Sequence, residues 1–219
     1  MSNEDQTLWV SFNGEIYNFR ALRDFLLKKG HQFTTCSDTE VILHLYEEFG
    51  VECVQHLNGI FAFAIWDNKR QQLFVARDKM GIKPLYYTQI DHQLIFASEM
   101  KALLAHPKVK HDIDLISLNE YLSFEYVPSP RTIIANIFRL PSGCWFTYSS
   151  SGLKLNRYYQ LSLARSELQP PVDWRDYTVT LDTKLREAVK QELVSDVPVG
   201  VLLVGRHEDV LALAIQPGH

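Results

Sequence analysis

Apolar and polar positions change period several times along the chain. Leu8 to Phe12 predicts a strand, and Asn13-Gly14 after it predicts a turn. Phe19, Leu22 and Leu26 recur at helical spacing as far as Gly30, so Asn18 to Lys29 reads as a helix stopped by glycine. Ser37-Asp38-Thr39-Glu40 has the form of a capping box, with Ser37 at the cap and Glu40 three residues on. An apolar stripe of Val41, Ile42, Leu45, Tyr46 and Phe49 then continues a second helix to Gly50. Ile60 to Trp66 is apolar at every position, which predicts a strand buried on both faces.

The later chain reads as hairpins and short helices. Gln72 to Ala76 follows the turn Asp67 to Arg70 as a partner strand. Pro84 to Ile90 with Leu94 to Ala97 predicts a second hairpin, and Cys144 to Tyr148 with Leu153 to Tyr159 a last one. Ser98 to Leu104 and Leu115 to Phe124 predict helices. This order is α+β, without regular βαβ alternation. A doubly buried strand in an antiparallel set implies two stacked sheets with helices outside.

Leu161 to Trp174, with Pro170-Pro171, reads as a linker. Leu181, Leu185, Ala188, Val189 and Leu193 then mark a helix, and Val199 to Val204 a buried strand. Chains of ~40 residues rarely fold alone, so the stretch after the linker reads as the start of a second domain. The expected division is 1–159, a linker 160–175, and 176–219.

Composition narrows the class. The 219 residues are 46% hydrophobic and 22% charged, which is globular. A net charge of −4 argues against a nucleic-acid partner. No apolar run approaches the ~18 residues of a membrane span, and no secretory leader is visible. Cys36, Cys53 and Cys144 are too few for a disulfide scaffold, so the expected setting is reducing and cytoplasmic. The eight histidines are scattered; His106 and His111 are the closest pair, and no metal site is expected.

Few residues suggest chemistry by themselves. Asn13 and Gly14 read as a turn, or as a side-chain amide and a main-chain N–H that stabilise an oxyanion. Asp38 reads as a cap complementing a helix dipole, or as a carboxylate that joins Glu15 in holding an ammonium group. Arg77-Asp78 reads as a buried pair fixing a turn. Leu202-Leu203-Val204-Gly205 ends a strand, but bulky Arg206, His207 and Glu208 do not make a phosphate loop.

Ordered blocks nevertheless resemble the glutamine-hydrolysing asparagine synthetase family. They are Phe12 to Asn18, Ser37 to Val41, Gly59 to Ala64, Ala76 to Asp78, Gly81 to Tyr87, Phe96 to Glu99, Val127 to Thr132 and Ser195 to Leu203. Asn-Gly-Glu and Ser-Asp are shared with other class II amidotransferases; Ser195-Asp196-Val197-Pro198 points to the asparagine synthetase branch. The resemblance implies an N-terminal-nucleophile αββα four-layer sandwich, followed by the start of an α/β nucleotide-binding domain. It implies a glutaminase that feeds ammonia to an ATP- and Mg²⁺-dependent ligase making asparagine from aspartate, and it admits a homodimer. Carried over by position, Asn13 and Gly14 are the oxyanion donors, Glu15 and Asp38 hold the amino group of glutamine, and Leu203 contacts ATP.

The chain departs from that pattern at two places. Position 2 is Ser2 where the family has its nucleophilic cysteine, and no arginine precedes Asn13 to bind a glutamine carboxylate. Val204, Arg206 and His207 interrupt what in the family is a run of small residues. The expectation is therefore a fragment cut at both ends, which neither hydrolyses glutamine nor binds ATP and Mg²⁺ by itself. Two alternatives are a non-catalytic amino-acid-binding or interaction module, and an amidotransferase with another acceptor.

Overall fold

The computed structural model describes residues 1–162 and 174–193. Residues 1–161 form one unit and the rest a second. The first unit opens with β1 (Leu8–Ile16), followed by helices α1 (Phe19–Lys28) and α2 (Asp38–Phe49) and a 3₁₀ turn, Gly50–Gln55. Next come β2 (Gly59–Asp67), β3 (Gln72–Arg77), β4 (Tyr86–Ile90) and β5 (Gln93–Ala97). Helices α3 (Met100–Leu104) and α4 (Leu115–Phe124) lead to β6 (Phe138–Arg139), β7 (Cys144–Ser149) and β8 (Gly152–Arg157).

The strands form two antiparallel sheets. Five strands run in the order β1-β2-β3-β7-β8, and three in the order β5-β4-β6. Side chains alternate along β2, and so they supply two cores. Phe61, Phe63 and Ile65 join Val41, Ile42, Leu45 and Tyr46 of α2 on one face. Ala62 and Ala64 face the other way, toward Leu85, Phe146 and the half-buried Tyr87 and Phe96. A third cluster packs Leu103 of α3 with Val109 and Ile137 against the far side of the small sheet. The layers are helix, sheet, sheet, helix. The expected double burial holds for Phe61 to Ile65, because β2 lies between two of these cores, but not for the ends of the run: Ile60 is half-buried and Trp66 exposed.

Several local expectations need correction. Asn13-Gly14 is no turn: β1 runs through it to Ile16, with Asn13 opposite Ala62 and Gly14 opposite Phe61. The glycine is required by close approach. A Cβ on Gly14 would lie 2.2 Å from the Ile60 carbonyl oxygen and 2.7 Å from the Phe61 Cα. Gly59 has the converse relation, its Cβ falling 2.1 Å from the Glu15 carbonyl oxygen. The two strands thus meet closely where both lack side chains.

The capping box is also not formed. Ser37 accepts from the Thr39 N–H at 3.2 Å and caps α2. Glu40 does not turn back to Ser37. Its buried carboxylate takes the main-chain N–H groups of Thr34 and Thr35 at 2.7 and 2.8 Å, and both threonine hydroxyls at 2.9 and 2.6 Å. Four donors on one carboxylate fix the loop leading into α2.

Arg77 and Asp78 fix a turn, by dividing its polar groups between them. Asp78 accepts the N–H groups of Met80, Ile82 and Lys83, each at 3.0 Å. Arg77 donates to the carbonyls of Lys83 and Leu140 at 2.6 Å and to that of Gly81.

In the second unit, α5 (Trp174–Glu192) is a single helix. The expected strand Val199 to Val204 and most of the linker lie outside the described residues. Among the described residues no helix is long and apolar enough to cross a membrane.

Candidate functional site at the edge of β1

Strand β1 is an edge of the large sheet, and its alternation sorts the candidates. Val10 and Ile16 point into the core beneath α2, while Asn13 and Glu15 are exposed on the opposite face. The main chain is sorted in the same way. The Tyr17 N–H pairs with the Asn58 carbonyl of the neighbouring segment, and the Asn68 N–H with the Thr7 carbonyl. Odd-numbered positions of β1 therefore face β2, and even-numbered N–H groups face the open edge. Two of these show where they go: Val10 donates to the Met1 carbonyl at 2.8 Å, and Ile16 to the Asp38 carboxylate at 2.9 Å. Gly14, between them, directs its N–H to the same edge.

The Ile16–Asp38 bond brings two distant segments together. Asp38 opens α2, and its Oδ2 is anchored beside the end of β1. Its Oδ1 has only long contacts, 3.4 Å to the Ser37 hydroxyl and 3.5 Å to the Thr39 hydroxyl. Asn13, Gly14, Glu15 and Asp38 are thus gathered at one end of one edge. The N-terminal end of α2 adds partial positive charge there.

Asn13 also lines a cleft between the two sheets, about 220 Å³ in volume, with Ser11, Phe96 and Ser98 on its wall. The Asn13 amide donates to the Ser98 hydroxyl at 3.3 Å. Ser98 sits just after β5, 85 positions along the chain from Asn13. Sequence reasoning assigned it no role, because nothing local distinguishes it from a serine preceding a helix.

The residues to be weighed as nucleophile are Ser2 and the three cysteines. Ser2 forms a bridge with Trp9, four positions along β1 from Asn13. At ~3.4 Å per residue that is about 14 Å from Asn13. Cys53 and Cys144 are buried, and desolvation pushes both thiols up, away from the reactive thiolate. Cys36 is exposed. Leu203 lies outside the described residues.

The glutamine amidotransferase domain family matches residues 1–159. The chain belongs to this family. It is 42% identical to asparagine synthetase [glutamine-hydrolyzing] 3 of Bacillus subtilis, over 97% of this chain and 34% of that protein. It is 39% identical to asparagine synthetase [glutamine-hydrolyzing] 3 of Arabidopsis thaliana, over 99% of this chain and 32% of that protein. The chain thus spans about a third of the length of these curated relatives. Among solved structures it is similar to the glutamine phosphoribosylpyrophosphate amidotransferase of B. subtilis, with TM-score 0.50 and 20% identity over 74% of this chain and 31% of that one. A second similar structure, an allosteric regulatory enzyme of purine biosynthesis, gives TM-score 0.51 at 22% identity over 70% of this chain and 29% of that one. The αββα layering of the family member is therefore the N-terminal-nucleophile fold of class II glutamine amidotransferases.

The sequence blocks around Asn13, Asp38 and Ser98 meet in this domain because β1, the start of α2 and the end of β5 share one end of the sandwich. The histidines hold a surprise for the sequence reading. His44 is buried, and His31, His44 and Glu47 converge beside α2.

Proposed function

We propose that residues 1–159 are the glutamine-binding part of an amidotransferase of the asparagine synthetase type. In the full-length enzyme, hydrolysis of glutamine supplies ammonia for ATP-dependent amidation of aspartate to asparagine. The reading is supported by the names of the relatives and by one observation: Asp38 bonds the strand end beside the edge-facing N–H of Gly14. Glu15 and Asp38 supply negative charge for the α-ammonium group. The Gly14 N–H and the Asn13 amide supply two donors for the amide oxygen as it becomes an oxyanion. Such a donor contributes about 3 kcal/mol to a transition state when it is pre-positioned. Ser98 orients the Asn13 amide by accepting one of its two N–H groups, which leaves the other for the substrate.

For the 219 residues by themselves we propose binding without turnover. Ser2 is too far along β1 to attack an amide held at Asn13, and the buried thiols are poor nucleophiles. No step is assigned to ATP or Mg²⁺: the segment that would hold them lies outside the described residues, and its Val204 and Arg206 replace small residues a phosphate loop uses. Titration calorimetry with glutamine, glutamate and asparagine tests the site. Saturable glutamine binding without ammonia release supports the proposal, and absence of binding removes it.

A further inference from the structure

Beyond the glutamine site, we propose that His31, His44 and Glu47 form a binding site for one divalent transition ion of the zinc class. Three ligand atoms from two segments meet at a point. His31 Nδ1 lies 3.2 Å from His44 Nδ1 and 3.2 Å from Glu47 Oε2, and His44 Nδ1 lies 2.8 Å from the same Glu47 oxygen. Zinc with bonds of ~2.0 Å to nitrogen and oxygen in tetrahedral geometry places its ligands ~3.3 Å apart. The triangle is therefore close to one face of a zinc tetrahedron, needing only a slight opening on the Glu47 side.

The surrounding groups orient these atoms as ligands. Glu48 Oε1 sits 3.1 Å from His31 Nε2. A proton on Nε2 satisfies that contact and leaves the Nδ1 lone pair aimed at the cluster, the carboxylate–histidine arrangement that supports metal sites. Asn3 donates to Glu47 Oε1 at 2.7 Å, which turns the other oxygen to the histidines. His44 is buried and its Nε2 has no hydrogen-bond partner among the described residues, so Nδ1 is the atom that holds the ring. A single proton on His44 Nδ1 lies among the lone pairs of His31 and Glu47, at the place a cation would take.

The remaining position opens to the surface. A depression of about 490 Å³ bordered by Glu4, Gly30 and Gln32 reaches His31 and Glu47, and leaves room for a water as fourth ligand. Glu4, Glu47 and Glu48 give this mouth negative charge, and among the residues that line it the one lysine is Lys29, which lies 3.7 Å from Glu48. The donor set of two imidazoles and one carboxylate suits zinc better than magnesium or calcium, which take oxygen ligands. An ion here would tie the turn after α1 to α2, two helical turns beyond Asp38.

The test uses the 219-residue chain, stripped with a chelator and titrated with Zn²⁺ against a chromophoric competitor. One zinc per chain is expected, with a rise in melting temperature. Co²⁺ in its place is expected to give the intense visible bands of tetrahedral coordination. His31→Gln and Glu47→Gln are each expected to lose at least tenfold in affinity, and Glu48→Gln about tenfold through loss of ring orientation. Circular dichroism of both ligand variants confirms that they fold. Failure of the wild-type chain to take up stoichiometric zinc overturns the proposal, leaving a proton-sharing cluster. Uptake unchanged in both His31→Gln and Glu47→Gln overturns it equally, since the ion then binds elsewhere.

Discussion

Asp38 accepts the main-chain N–H of Ile16 at 2.9 Å, and this bond joins the first residue of α2 to the last of β1. It couples the folding of the edge to the assembly of the proposed glutamine site, since Asn13, Gly14 and Glu15 immediately precede Ile16. Asp38→Ala should therefore abolish measurable glutamine binding and also lower stability by about 1–3 kcal/mol, the cost of a lost hydrogen bond to a charged group. Asp38→Asn keeps an acceptor for Ile16 but loses the charge. Calorimetry paired with urea denaturation separates the effects: the asparagine variant should recover stability without recovering affinity.

Asn13 presents a different balance. Its amide is positioned by the Ser98 hydroxyl at 3.3 Å, at an exposed site where water can replace either partner. Ser98→Ala should leave the melting temperature unchanged and weaken glutamine binding by roughly 3- to 10-fold, because the amide loses its preferred rotamer. Asn13→Ala, which removes the donor itself, should weaken binding further. Equal affinities for wild type and Ser98→Ala would show that the serine does not position the amide.

The crossing of β1 and β2 is built from main chain on both sides. Ile60, Phe61 and Glu15 atoms occupy the space a methyl group would need at Gly14 or Gly59. Backbone cannot swing aside as a side-chain tip can, so Gly14→Ala and Gly59→Ala should each cost at least about 3 kcal/mol. The double variant should cost less than the sum, because the first substitution has already parted the strands. Chemical denaturation of the four species measures this.

These contrasts explain what was legible in the sequence. Apolar residues at every position of Ile60 to Trp66 indicated two cores, since alternate side chains of one strand must both find partners. The same logic gave α1, α2 and the three hairpins. Asn13-Gly14 misled, because the dipeptide favours a turn for its left-handed freedom, while here the glycine is needed for lack of a Cβ. Glu40 sat three residues after Ser37 as a capping box requires, but two threonines upstream offered it four donors in place of one. Motif blocks placed Asn13 and Asp38 in one family site. Their meeting with Ser98, and that of His31 with His44, depends on where β5 ends and how the chain turns after α1, which no local pattern encodes.

Glu40 makes stability depend on acid. Burial pushes its pKa up, but the N–H and hydroxyl groups of Thr34 and Thr35 together outweigh this, so it lies below its ordinary 4.5. A carboxylate with a depressed folded pKa contributes fully above its unfolded value and loses that contribution as the pH falls through the folded one. Glu40→Gln should therefore be about 1–3 kcal/mol less stable than wild type at pH 7. The gap should narrow as the pH drops below about 4.5. Denaturation midpoints of both proteins between pH 3 and 7 test this, and a constant gap would mean that the charge of Glu40 is irrelevant to the loop.

Arg77 and Asp78 together hold three N–H groups and two carbonyls of residues 79–83, so that each is hard to replace. Arg77 is buried, and desolvation lowers its pKa while Asp78 opposes that shift. Its three carbonyl acceptors, on Gly81, Lys83 and Leu140, lie around a planar guanidinium. A lysine has one compact ammonium and cannot reach all three. Asp78→Ala removes the acceptor of four N–H groups, those of Phe61, Met80, Ile82 and Lys83, and Asp78→Asn restores one oxygen but adds two donors facing donors. Arg77→Lys, Arg77→Met and Asp78→Asn should each cost about 3–5 kcal/mol, since each leaves buried polar groups unpaired. If the two residues act as one unit, Arg77→Met combined with Asp78→Ala should cost markedly less than the sum of the single substitutions. Strict additivity in the urea midpoints would instead mean that each holds its own part of the turn independently.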